Sequence, residues 1–247
     1  VISNQVLNSD QLSHQPTEEL KQQLLKLTEN RDTDLLREKV LFYKNELTPI
    51  VEELNRRNPF PHPEDQIPQI LGVWTPVWST IPFHDILPGR VHEQSYQIFH
   101  DDGYYANMAR YAPGQKLPFL GKLSSILLAY DFMVLQKFEV RNGQWYIQNI
   151  GIEQAFRMRG IPLNIEKAED WFTKVVTAKI KPSSQTRESL DAPSLENLDR
   201  STAKKLKTTF LMTPQFEHLY IDHDFRVVKT RREAKQRPSY TIAVRKQ

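Results

Sequence analysis

The stretch Ile70-Leu71-Gly72-Val73-Trp74-Thr75-Pro76-Val77-Trp78-Ser79-Thr80 decides the fold. Before it the apolar residues recur with a helical period, and after it they alternate in short runs with a period of two. A glycine two residues ahead of a tryptophan suits the opening of a small closed barrel. Gly72 lets the backbone bend and approach a neighbour closely. Trp74 is large enough to plug a narrow barrel end, and its ring face can receive a cation. Taken alone, the pair also fits a buried tryptophan at the start of any strand.

Working back toward the N-terminus, residues 1–15 are polar and aperiodic, which predicts a flexible arm. Thr17 followed by Glu18 and Glu19 starts a helix, with Leu20, Leu24 and Leu27 along one face. A second helix follows Thr33 and carries Leu36, Val40, Tyr43 and Leu47. Thr48-Pro49 opens a third, which ends near Asn58-Pro59. Residues 16–58 are thus expected to form a helical appendage, either covering one end of a barrel or docking onto a protein partner.

Working forward, Tyr96, Ile98 and His100 alternate with polar residues, Asp101-Asp102-Gly103 turns the chain, and Tyr104 to Tyr111 returns. Phe132, Val134, Phe138 and Val140 share a strand face, and Asn142-Gly143 signals a type I′ hairpin back through Trp145 to Ile152. Further strands are expected at Trp171–Ile180, Leu206–Thr213, Glu217–Ile221, Arg226–Thr230 and Tyr240–Arg245. The predicted fold is mainly β, an antiparallel barrel of about 8–9 strands over residues 70–247 with the helical appendage in front. Closure would protect the many short edges, and the polar faces argue against a parallel sheet. Residues 181–205 read as a long insertion, either a surface loop or an ordered lid.

Three blocks carry a resemblance to a known family: Ile50 through Pro61 leading into Leu71-Gly72-Val73-Trp74; the hairpin after Pro88-Gly89-Arg90-Val91 with Gln94, Gln97 and Asn107; and Tyr220 through Val228 followed by Tyr240–Arg245. In these the chain resembles the plastid-lipid-associated proteins, also called fibrillins or plastoglobulins. The resemblance implies a lipocalin-like barrel bound peripherally to photosynthetic membranes, on the cyanobacterial cytoplasmic side or in the plastid stroma and plastoglobules. It also implies that Gly72, Trp74 and Arg226 form a structural plug, with Arg226 stacked across Trp74.

Composition sets the outer limits. The chain has 247 residues, 39% hydrophobic and 26% charged, enough for a core and a wetted surface. No cysteine is present, so disulfides and thiolate chemistry are excluded. A net charge of +3 is too mild to indicate nucleic acid as a partner. The longest apolar run, Ile126 to Tyr130, is far short of the ~20 residues of a membrane span. Val1 through Gln15 has neither a hydrophobic signal core nor an Arg-rich transit pattern, and a leader removed ahead of Val1 stays open.

Nothing in the pattern points to catalysis. The seven histidines have no i, i+4 pair and read as exposed loop or rim residues. Asp222-His223-Asp224 reads as a turn whose Asp side chains bond the backbone. A Gly-rich phosphate loop is lacking. The expectation is a protein that is not an enzyme and has neither a metal site nor a required cofactor.

The expected ligand cavity is lined by Trp78, Tyr96, Ile98, Phe132, Val134, Phe138, Phe210 and Phe225, residues suited to a carotenoid, a quinone or a lipid tail. A solidly packed interior is the competing expectation. Phe119, Leu120 and Leu123, flanked by Lys116 and Lys122, fit either a helix closing the barrel or a segment dipping into a lipid surface. Lys229, Arg231 and Arg232 begin a basic run that fits a solvated hairpin, anionic headgroups or an acidic partner. The residues alone support a barrel with an apolar cavity; the family resemblance implies in addition one of two functions, an apolar lipid or pigment binder at a photosynthetic membrane or an assembly factor for a photosynthetic complex.

Overall fold

The computed structural model describes residues 9–81, 89–112, 128–180, 215–231 and 237–246. Five helices lead the chain: α1 (Ser9–His14), α2 (Thr17–Thr28), α3 (Leu36–Phe42), α4 (Thr48–Arg56) and α5 (Pro63–Ile70). Between α3 and α4 the chain makes a π-helical turn, Tyr43–Leu47. Thr48 and Pro49 lie in the first turn of α4, where the missing proline N–H costs nothing. The N-terminal stretch read as a flexible arm therefore contains helix α1, whose Leu12 is buried against the other helices. No described helix is long and apolar enough to cross a membrane.

The sheet has eight strands: β1 (Gly72–Ser79), β2 (Arg90–Phe99), β3 (Tyr104–Tyr111), β4 (Leu128–Arg141), β5 (Gln144–Met158), β6 (Gln215–Ile221), β7 (Phe225–Arg231) and β8 (Ser239–Arg245). Every neighbouring pair is antiparallel and follows chain order, and β8 returns to pair with β1. The strand order thereby closes into a barrel. Asn142 (φ 51°) and Gly143 (φ 69°) make the left-handed turn between β4 and β5.

Eight strands are present among the described residues, within the expected 8–9, but the expected lipocalin-like barrel needs correction in two respects. The expected strand Trp171–Ile180 is instead the end of helix α6 (Ile165–Val175) and a π-helical turn, Val176–Ile180. Ile165, Ala168, Phe172 and Val175 repeat at three- and four-residue steps, so one helical face packs on the sheet. The wall is also not an evenly closed one: β5 and β6 meet only through Trp145↔Phe216 and Tyr146↔Gln215. Beyond that seam, Ile147–Met158 has no described ladder partner on the β6 side.

Register separates the two faces. Trp74 pairs with Gln97, Gln97 with Asn107, and Gln136 with Asn149, so these side chains share the inner face. The outer face is covered on two sides. Helices α1, α2 and α4 bury Trp78, Phe225, Val227 and Ile242. Helix α6 buries Tyr96, Ile98, Met108 and Met133. Four of the expected cavity residues, Trp78, Tyr96, Ile98 and Phe225, therefore lie under helices on the wrong side of the sheet for an inner cavity. A bulge between Pro76 and Trp78 switches Trp78 outward. Alternation forces the others out once Gln97 and Arg226 point in.

Candidate functional site

At the Trp74 end the inner face is packed solid. Gly72 takes φ 102°, and a Cβ there would stand 3.0 Å from Arg245 Nη1. Only glycine suits both the backbone and the close approach. Trp74 donates its Nε1–H to the Ile70 carbonyl at 2.7 Å, tying the strand to the end of α5. Two guanidinium groups flank its ring, Arg245 at 4.3 Å and Arg226 at 4.9 Å from the centroid. Arg245 also donates to the carbonyls of Gln69, Leu71 and His223, satisfying the last turn of α5. The Arg245 contact escaped sequence analysis, because an Arg near the end of the last strand looks like any solvated terminal residue.

Arg226 is buried, and among the described residues no carboxylate pairs with it. Burial, with Arg245 nearby, lowers its pKa to about 9. Amide groups hold it instead. Arg226 donates through Nη2 to Gln97 Oε1 and through Nη1 toward His218 Nε2 at 3.5 Å. Gln97 donates onward to Asn107 Oδ1 (2.9 Å), Asn107 to Gln136 Oε1 (2.9 Å), and Gln136 to Asn149 Oδ1 (2.6 Å). Each donor points away from Arg226, so the charge is spread along a chain of oriented dipoles across four strands.

His218 completes the arrangement. Gln66 Oε1 accepts the Trp145 Nε1–H at 2.8 Å and, because it can only accept, also accepts a hydrogen bond from His218 Nδ1–H at 3.0 Å. That tautomer leaves Nε2 as the acceptor facing Arg226. Burial first, and Arg226 second, hold the imidazole well below its usual pKa and therefore neutral. This corrects the expectation that all the histidines are exposed. The available signal was the two-residue spacing from Phe216, which puts His218 on the same strand face.

Toward the far end of the long β4–β5 hairpin the inner face changes character. Tyr111, Tyr130, Phe132 and Ile152 form one buried cluster, with Val134 packed on it. The same face continues through Phe156, opposite Tyr130, and Met158, opposite Leu128. Phe156 is 57% exposed and Met158 51%, large values for apolar side chains. Ile161, just beyond, is likewise exposed. Of the expected cavity residues, Phe132 and Val134 belong to this apolar strip, whereas Phe138 packs at the Trp74 end against Phe99 and Trp145. Phe156 and Met158 were missed because Phe156-Arg157-Met158 lies past the point where the hairpin was expected to stop.

The remaining expected sites are dispersed. Phe119, Leu120, Leu123, Phe210, Arg232 and the 181–205 insertion lie outside the described residues. Lys229 pairs with Glu217 at 2.7 Å. In the Asp222-His223-Asp224 turn, Asp222 Oδ1 accepts from the backbone N–H groups of Asp224 and Phe225. The donor atoms of all three residues lie within 4.8 Å of one another. The Lys21 ammonium occupies the space a cation would take, 3.0 Å from Asp222 and 2.7 Å from Asp224. No family model, curated protein or solved structure matches the chain.

Proposed function

We propose that the protein is a non-enzymatic binder of apolar lipids or pigments, with a carotenoid, a quinone or a lipid tail lying along the inner face of the β4–β5 hairpin. The observation that carries this reading is an apolar strip that runs from the core into solvent. Buried Tyr130, Phe132 and Ile152 share a face with exposed Phe156 and Met158, and the one polar side chain between them, Gln154, accepts from the Tyr130 hydroxyl at 2.6 Å. An apolar surface that is half buried and half presented gains when a second apolar body covers it, about 25 cal/mol per Å². The photosynthetic-membrane setting, as a peripheral thylakoid or plastoglobule protein, rests on the sequence resemblance to the fibrillins.

The test is flotation with vesicles made from thylakoid lipid extract, comparing the native protein with Phe156→Ser/Met158→Ser. Both side chains are exposed, so the fold should be unaffected. The expected result is a several-fold loss of vesicle-bound protein in the variant. Equal flotation overturns the placement of the site.

A second reading, an assembly factor for a photosynthetic complex, draws on a different surface. Leu35 (70% exposed) and Leu41 (49%) are large apolar side chains of the helical appendage that stand in solvent. On that reading Leu35→Ser/Leu41→Ser removes a protein association and leaves flotation unchanged.

A further inference from the structure

Four of the six large apolar side chains that stand exposed among the described residues gather at one end of the β4–β5 hairpin: Leu128, Phe156, Met158 and Ile161. Register makes them neighbours, because Leu128 pairs with Met158, Tyr130 pairs with Phe156, and the Ile161 N–H donates to the Met158 carbonyl at 3.1 Å. We propose that this end docks onto an anionic lipid bilayer, with the apolar side chains entering the acyl boundary and Arg159 meeting the headgroups. Docking at this strip rests on the proposed function and adds to it the partner surface and its charge.

The backbone behind the patch is anchored from the buried side. Arg110, 1% exposed, donates to the carbonyls of Ile161 and Met158. Gln94 Oε1 accepts from the Leu163 N–H at 2.7 Å, and the Leu163 carbonyl accepts from the Tyr96 hydroxyl at 2.9 Å. Leu163 is itself buried, yet Met158 and Ile161 on the same anchored stretch turn outward. Apolar side chains held out in this way can enter a lipid boundary with little further loss of chain entropy.

Charge selects the kind of surface. From Gln154 to Ile165 the chain carries Arg157 and Arg159 and no acidic residue. Arg110 and Arg157 both pair with the single buried carboxylate of Asp131, so two guanidiniums against one carboxylate leave one positive charge. Arg159 is exposed and forms no ion pair among the described residues. Lys167 folds back over the same loop, donating from Nζ to the Pro162 carbonyl at 3.2 Å. A bilayer meets the end of the sheet edge-on, so basic and apolar residues need not share a face to reach it. Apolar residues interleaved with basic ones are the composition of an interfacial segment drawn to anionic lipid.

The test is flotation of the native chain with two vesicle preparations, phosphatidylcholine alone and phosphatidylcholine carrying about one-third phosphatidylglycerol. The native protein should bind the anionic vesicles about tenfold more tightly, and Arg159→Glu should lose most of that preference. Lys137→Glu, the same change of charge at an exposed position nearer the β4–β5 turn, should keep it. Phe156→Ser/Met158→Ser should bind both vesicles weakly. Native protein that floats equally with the two overturns the anionic surface and leaves the apolar reading intact. Undiminished flotation of Phe156→Ser/Met158→Ser overturns the apolar reading and the docking surface with it. A preference kept in Arg159→Glu also overturns the proposal, and so does an equal loss in Lys137→Glu, which would mark unspecific charge attraction. Flotation with neither vesicle, together with a dimer in analytical ultracentrifugation, would hand the patch to a second copy of the chain and overturn the proposal as well.

Discussion

Gly72 shows how one residue can fix a boundary between helix and sheet. Its left-handed backbone lets the chain leave α5, and its missing Cβ makes room for the Arg245 guanidinium that caps that helix and lies on Trp74. Gly72→Ala imposes strain at both points and is expected to cost ~1–3 kcal/mol in urea unfolding. A variant as stable as the native protein would show that neither constraint matters. His218 makes a prediction of opposite character, visible only when pH changes. Its pKa is depressed in the fold, so below about 6.5 the unfolded chain takes up a proton that the folded protein refuses. Stability from this group is complete above that pH and is lost as pH falls through it. Between pH 7.5 and 5.5 the native protein should lose about 1 kcal/mol that His218→Gln does not lose. Parallel unfolding free energies for the two proteins would contradict the neutral, buried imidazole.

At the scale of elements, helix α6 is a lid on the outer face rather than part of the wall. Asn164 caps it, accepting from the Lys167 N–H at 3.1 Å. The loop before it is held down by Arg110, which pairs with buried Asp131 at 3.1 Å and donates to the Ile161 carbonyl. Phe172 is fully buried between α6 and the sheet, so Phe172→Ala should cost ~3–5 kcal/mol. A thermal melt that barely moves would mean that the helix is not docked there. The sequence was most readable where a single residue type fixes the backbone, as at Asn142-Gly143 and Thr48-Pro49. It was least readable where two patterns overlap. Trp171-Phe172 and Val175-Val176 look like strand residues, and only their spacing from Ala168 and Ile165 betrays the helix. The face of a strand was equally hard to read. Phe225 and Arg226 cannot both point inward, and the bulge that turns Trp78 outward leaves no mark in the residue order.

For the whole molecule, the division of labour runs along the axis of the rolled sheet. One end is filled by Trp74, Phe99, Tyr105, Phe138 and Trp145 around a buried cation without a carboxylate partner among the described residues, which leaves that end to maintain the fold. Helices α1, α2 and α4 pack over one outer side and α6 over another, leaving the apolar end of the β4–β5 hairpin presented. On the proposed function, the exposed Phe156 and Met158 at that end are where an apolar ligand would lie. The most direct test is to purify the protein from a pigmented photosynthetic host, record its absorption spectrum and extract it with organic solvent. Near-stoichiometric recovery of one carotenoid, quinone or lipid species, lost in Phe156→Ser/Met158→Ser, is the expected result. Protein that emerges colourless, with an extract free of apolar molecules, would contradict the proposed role.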